Sequence, residues 1–134
     1  MTRVVAAVIQ REGRFFVCLR PKEKRHGGMW EFPGGKLGNG ESLAQAAQRE
    51  LEEELGLKLE FAGDVMFSAE DPGSEFTIEF IPVSATGSPV LYEHQAVRWA
   101  SLAELDRLQL APTDAMFVRH LREAPNSEAG RRIQ

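Results

Sequence analysis

Gly35 to Leu57 reads GKLGNGESLAQAAQRELEEELGL, and this stretch decides the fold. Ser42 followed by Gln45 forms a capping box, which predicts a helix starting just after Ser42. Gly56 is a natural C′ residue and predicts its end. Leu43, Ala47, Leu51 and Leu55 step by four and make one apolar stripe. At about 100° per residue, Glu54 falls inside the apolar arc, Glu50 at its edge and Glu53 further round. Only Glu52 points squarely away. An unpaired carboxylate on a buried face is costly or becomes protonated, and crowded carboxylates repel one another. A bound cation removes both problems. Hard divalent ions such as Mg²⁺ take oxygen ligands, with one or two carboxylates beside substrate phosphates. The spacing alone is equally that of a solvated acidic surface helix, so the wider pattern has to decide.

That pattern is Gly35, five residues, Glu41, seven residues, then Arg49-Glu50-Leu51-x-Glu53-Glu54-x-Gly56-Leu57. It resembles the Nudix box, and the likeness extends upstream through Trp30-Glu31-Phe32-Pro33-Gly34. The chain looks like the MutT branch of the Nudix hydrolases, which cleave a nucleoside diphosphate linked to another moiety. The resemblance implies an α+β fold, an α/β/α sandwich around a mixed sheet. It implies Mg²⁺ as cofactor, with Mn²⁺ able to substitute. Gly35 (through its carbonyl), Glu50, Glu53 and Glu54 are the implied ligands, with Glu53 ligating or positioning water. Glu93, from a distant loop, is the implied further ligand or general base. Arg49 would orient the glutamates, and Glu41 would fix the loop. Arg20, at a strand end, would hold the nucleotide beside Gly34, and either Trp30 or Phe32 would face the base unless it packs in the core. Gly38 stands where relatives commonly carry an acidic residue, so this loop is less acidic than theirs.

Substrate choice rests on Glu93-His94-Gln95-Ala96-Val97-x-Trp99 and Leu110-Ala111-Pro112-Thr113-Asp114. These segments resemble the CTP pyrophosphohydrolase members of the family. Members that remove 8-oxo-dGTP tend to place an amide at the position of Asp114. A carboxylate would instead accept from an exocyclic amine such as cytosine N4. Asp114 would equally suit a helix N-terminus, where the dipole favours an acid. The expected activity is metal-dependent hydrolysis of a nucleoside triphosphate to NMP and pyrophosphate, with a pyrimidine nucleotide first and 8-oxo-dGTP as the alternative. A nucleotide-binding module without catalysis is the alternative of another class, and an intact box speaks against it.

Composition sets outer bounds. The 134 residues suffice for one domain, expected over residues 1–124 with a polar tail over 125–134. The net charge of −4 gives no footing for a nucleic-acid polymer or an anionic membrane. The partner is expected to be a small nucleotide, and the protein a monomer or homodimer. Cys18, the single cysteine, rules out an internal disulfide and suits a reducing compartment. The apolar run Val4–Ile9 is too short for a signal peptide or a span, so a cytoplasmic location is expected.

Along the chain, Val4–Ile9 and Phe15–Leu19 predict a hairpin across Arg11-Glu12-Gly13. The segment PKEKRHGG after Arg20 reads as a basic loop. Lys58–Phe67 and Glu75–Val83 read as strands on either side of a turn at 70–74, with a loop at 85–89. Ala96–Ala100 is a strand, and Ser101 with Glu104 caps a helix over Leu102–Leu108. Leu110–Asp114 reads as a connector before a last helix, Met116–Leu121.

Overall fold

A computed structural model of the chain describes residues 1–123, so the expected tail over 125–134 lies outside the described residues. The order is β1 (Thr2–Arg11), β2 (Arg14–Leu19), β3 (Trp30–Glu31), β4 (Gly34–Lys36), α1 (Leu43–Leu55), β5 (Lys58–Ala62), β6 (Phe67–Glu70), β7 (Phe76–Thr86), β8 (Ala96–Ala100), α2 (Leu102–Leu105) and α3 (Pro112–Glu123). β1 runs parallel to β7, and every other strand pair is antiparallel, so the sheet is mixed.

The continuous apolar run of β1 is explained by its burial on both faces. Val5, Ala7 and Ile9 point into one core with Ala46, Ala47, Leu51 and Leu55 of α1. Ala6 and Val8 point into the other core with Phe117, Val118 and Leu121 of α3. Alternation along a strand sends successive side chains to opposite faces, so one strand supplies both cores. β2 divides in the same way, with Phe16 and Cys18 on the α1 side and Phe15 and Val17 on the α3 side. Helices on both faces of a mixed sheet are the sandwich expected from the sequence. On the α3 side an aromatic cluster fills the space. Phe80 stacks on Phe117 with centroids 4.4 Å apart, and Phe32 meets Phe15, Phe80 and Phe117 edge-on.

Local signals were sound where they were strong. Glu12 and Gly13 both have positive φ, 50° and 75°, in a two-residue hairpin between Arg11 and Arg14, and a primed turn suits the strand twist. Both arms of the capping box form at Ser42 and Gln45. Gly56 takes φ 65° and donates from its N–H to Glu52 O at 3.0 Å, which closes the helix in an αL motif, and Leu57 N reaches Leu51 O at 3.2 Å.

Several boundaries differ from expectation. α3 begins at Pro112, so most of the expected connector is helix. Proline suits the first helical position because its missing N–H would be unsatisfied there anyway. α2 is only Leu102–Leu105. Lys58–Phe67 breaks into β5 and the start of β6, and β7 runs on to Thr86, two residues into the expected loop. The glycine segment holds two short strands, β3 and β4. β4 pairs Val5 with Gly35 and Ala6 with Gly34. A Cβ at Gly34 would lie 1.9 Å from the Val5 carbonyl oxygen, a backbone atom that cannot yield alone.

Gly34→Ala is therefore expected to lower the unfolding free energy by about 3 kcal/mol. Urea melts would measure it. A variant as stable as the parent would show that β4 can leave β1 at no cost.

Candidate active site

The second turn of α1 carries the organising cation of the site. Arg49 Nε donates to Glu41 Oε2 at 2.8 Å, and its Nη2 to Glu41 Oε1 at 2.8 Å. Nη1 donates to Glu50 Oε1 at 2.6 Å, and Nη2 reaches the Lys36 carbonyl at 2.9 Å. The guanidinium thus joins the helix, β4 and the loop between them. Glu41 Oε1 also accepts from Gly38 N at 2.6 Å. These bonds, first Arg49 and then Gly38, hold the Glu41 carboxyl down at about 2.

Glu50 and Glu54 sit in a different environment. Burial pushes the Glu50 carboxyl up, against the pull of Arg49, and the charges of Glu53 and Glu93 add to the rise. Glu54 is pushed up to about 9, first by burial and then by the charges of Glu50, Glu31 and Glu93. Its Oε1 is buried without a hydrogen-bond partner. A Cβ at Gly35 would fall 2.5 to 2.7 Å from the Glu50 carboxyl atoms, so only glycine lets the carboxylate lie this close to β4.

These features fit a divalent cation. An orphaned buried carboxylate oxygen, a second carboxylate beside it and a backbone bared by glycine offer oxygen donors where a positive charge is missing. Among the described residues, no three His, Cys, Asp or Glu side chains are gathered closely enough to ligate an ion as they stand. Mg²⁺ does not demand this, since it keeps several waters and takes one or two carboxylates with phosphates.

A cavity of about 200 Å³ opens from this end and is lined by Gly34, Gly35, Arg20, Glu31, Phe32 and Asp114 among others. Glu31 in that lining joins two other polar side chains. Its Oε1 accepts from Arg20 Nη1 at 2.7 Å, and its Oε2 lies 2.9 Å from His94 Nε2. At the far end Asp114 is 6% exposed, with Oδ1 accepting from Phe32 N at 2.9 Å. Burial, followed by the charge of Glu31, raises its carboxyl well above the usual range.

Of the residues singled out from the sequence, Gly35, Glu41, Arg49, Glu50 and Glu54 come together, and Arg20, Gly34, Phe32 and Asp114 line the cavity. The Phe32 ring belongs to the aromatic core, and Trp30 is partly buried against the same cluster. Glu53 stands apart from the cavity, its side chain 60% exposed and 3.6 Å from Arg49 Nη1. Glu93 is exposed, and its charge is felt at both Glu50 and Glu54. Two residues were passed over. Glu31 was read only as part of the upstream motif, and Asp71 only as a turn residue. Neither has a local signature, because their partners lie far along the chain; a carboxylate inside WEFPGG was the one available hint for Glu31.

Comparison with known proteins agrees with this geometry. The NUDIX domain model matches residues 1–121. The chain is 38% identical over 118 residues to a CTP pyrophosphohydrolase of Escherichia coli (strain K12), covering 85% of this chain and 86% of that protein. It is 33% identical over 122 residues to an 8-oxo-dGTP diphosphatase of Haemophilus influenzae, covering 89% and 90%. Among solved structures, the solution structure of the E. coli ORF135 protein superposes with a TM-score of 0.78 at 35% identity, covering 96% of this chain and 95% of that one. No helix among the described residues is long and apolar enough to cross a membrane.

Glu54 gives a pH signature in the metal-free protein. Its folded value of about 9 lies above the ordinary 4.5, so the folded state keeps a proton that the unfolded chain releases. Its contribution is complete below pH 4.5 and is lost as pH rises through 9. In EDTA, Glu54→Gln is expected to flatten the fall of Tm with pH over that window and to be the more stable protein at its alkaline end. Added Mg²⁺ is expected to stabilise the parent more than the variant. Parallel Tm profiles for the two proteins would contradict this.

Proposed function

The chain belongs to the Nudix hydrolase family, enzymes acting on nucleotide phosphoanhydride bonds, and on that premise we propose that it is a divalent-cation-dependent nucleoside triphosphate pyrophosphohydrolase with a pyrimidine preference, cytosine first. One observation carries the reading: a single cavity runs from Gly35, against Glu50, to the buried Asp114. One end suits phosphates and the other suits a base edge.

The chemistry asks for positioning and electrostatics more than for covalent help. Glu50, Glu54 and the Gly35 carbonyl would hold Mg²⁺, or Mn²⁺ in its place, with Glu93 as a further ligand or as general base. When bound, the ion neutralises phosphate oxygens and makes bound water more acidic. Arg49 keeps Glu50 fixed through a 2.6 Å bond and links it to Glu41. Glu53, exposed near Arg49, would position water. Arg20, held by Glu31, supplies a cation at the cavity wall. A water oxygen bonds to phosphorus as one phosphoanhydride bond breaks, its proton passing to a base such as Glu93, and the products are the nucleoside monophosphate and pyrophosphate.

Base choice follows from one fixed hydrogen bond. Phe32 N–H engages Asp114 Oδ1, which leaves Oδ2 for the ligand. That oxygen accepts from an exocyclic amine, and in the protonated form it also donates to a neighbouring ring nitrogen. Cytosine presents both groups, N4 and N3. The relative named CTP pyrophosphohydrolase supports this preference, and those named 8-oxo-dGTP diphosphatase support the second reading.

Two outcomes are expected. Glu50→Gln and Glu54→Gln should each lose at least about a hundredfold in kcat/KM with pyrophosphate release as readout, and EDTA should abolish the parent's activity. Retained turnover in either variant or in EDTA would remove the metal from the proposal. In Asp114→Asn the amide oxygen must face Phe32 N, so an NH₂ group faces the base. The ratio of kcat/KM for CTP over 8-oxo-dGTP should then fall about tenfold or more. An unchanged ratio across a panel of normal and oxidised nucleotides would place base selection elsewhere.

A further inference from the structure

A second buried carboxylate, unused so far, also lines the cavity. Asp71 opens the turn between β6 and β7 and is 5% exposed. Its Oδ1 accepts from the Thr113 hydroxyl at 2.6 Å. Its Oδ2 accepts from Arg25 Nη2 at 3.1 Å and lies 3.3 Å from His26 Nε2. Arg25 Nη2 also donates to the Pro72 carbonyl at 2.9 Å. Three elements distant in sequence therefore meet on one side chain: the basic segment after Arg20, the β6–β7 turn and the first turn of α3.

Each of these elements forms part of the cavity lining, through Arg20, Arg25 and His26, through Asp71 and Phe76, and through Ala111 and Asp114. Thr113 is fully buried and immediately precedes Asp114, whose carboxyl is bound to Phe32 N. A shift of Thr113 would therefore move the base-facing group. The basic segment needs an anchor as well. His26 has φ 57°, a left-handed conformation that costs a β-carbon-bearing residue about 1 kcal/mol. The segment's own backbone bonds, Gly27 N to Lys24 O, Gly28 N to Arg20 O and Met29 N to His26 O, shape it without tying it to the rest of the wall. Arg20 Nε holds the Arg25 carbonyl at 2.6 Å and Arg25 reaches the Pro72 carbonyl, and Asp71 adds the tie that joins the segment to α3 through Thr113.

We propose that Asp71 is a positioning residue for the nucleotide. It latches the segment carrying Arg25 and His26 to the N-terminus of α3 and so sets the distance between the basic wall and Asp114. This rests on the nucleotide reading of the cavity given above. Asp71 touches no reacting atom, so its loss acts on binding and leaves the chemical step in place.

The test uses Asp71→Asn, which keeps the shape and the acceptor for Thr113 but removes the charge that gathers Arg25 and His26. Without nucleotide, amide exchange of Gly27, Gly28 and Met29 is expected to accelerate about tenfold while the α1 amides stay unchanged. With the preferred triphosphate and Mg²⁺, KM should rise about tenfold with kcat within about twofold of the parent. Two variants act on one side of the latch each, should Asp71→Asn fail to fold. Arg25→Gln should speed exchange in the segment, and Thr113→Val should raise KM without doing so. Thr113→Ser, which keeps the hydroxyl, should behave like the parent. Unchanged exchange in Asp71→Asn, or faster exchange with KM unmoved, or a fall in kcat alone, overturns the proposal. If the parent turns over no nucleotide, the functional reading fails, and exchange alone then decides whether the latch exists.

Discussion

The closeness of β4 to its neighbours is the constraint on which the rest depends. Gly34 lies against the backbone of β1, and Gly35 lies against the Glu50 carboxyl of α1. A side chain at Gly34 would push β4 from β1, and one at Gly35 would displace the Glu50 carboxyl. Because both lack one, strand and helix approach until carboxylate oxygens lie beside bare backbone. Packing elsewhere on α1 makes this approach firm. Ala46, Ala47, Leu51 and Leu55 are fully buried against β1, β2 and β7. The small residues at 46 and 47 let the helix come near, and the leucines hold it there.

That proximity creates an electrostatic problem with one local remedy. Glu41, Glu50 and Glu53 all lie within 4 Å of a single guanidinium, Arg49. Glu41 receives most of its help, through two hydrogen bonds, and its carboxyl is held low. Glu50 receives one, and its carboxyl still rises because burial outweighs the single bond. Glu54 receives none from Arg49 and rises furthest. The ordering follows the supply of donors, as expected when desolvation and hydrogen bonding oppose each other. The site is graded from the satisfied carboxylate of Glu41, in the loop before α1, to the orphaned carboxylate of Glu54 on the helix, and the orphaned end is where a cation gains most.

What could be read from the sequence was what is encoded within one or two turns of chain. The capping box at Ser42, the stop at Gly56 and the turn at Glu12-Gly13 are local, and each forms. The placement of Glu54 inside the apolar arc and Glu52 outside it is also local, because helix geometry fixes it once the helix exists. Short strands are another matter. β3 and β4 are strands only because β2 and β1 lie beside them, and nothing in WEFPGGK alternates. The start of α3 was signalled by Pro112 and was overridden by reading Leu110–Asp114 as a loop motif. Glu31 and Asp71 were the hardest to see. Each draws its partners from segments tens of residues away, such as His94 for Glu31 and Thr113 for Asp71. Pairings of that kind are products of the fold and leave no mark on neighbouring residues.

The two ends of the cavity are built on opposite layers of the sandwich. Glu50 and Glu54 ride on α1, whose apolar face shares a core with Val5, Ala7 and Ile9. Asp114 rides on α3, whose apolar face shares the other core with Ala6 and Val8. Successive residues of one strand thus support two different functions. Repacking around Phe117 would disturb Asp114 and leave the glutamates standing, because the intervening sheet is fixed by its own hydrogen bonds. Substitutions at the two ends share no first neighbours, so their free energies should nearly add. Glu31 is the exception, since its charge reaches both Glu54 and Asp114. It is through that carboxylate that a change at Asp114 can be felt at Glu54.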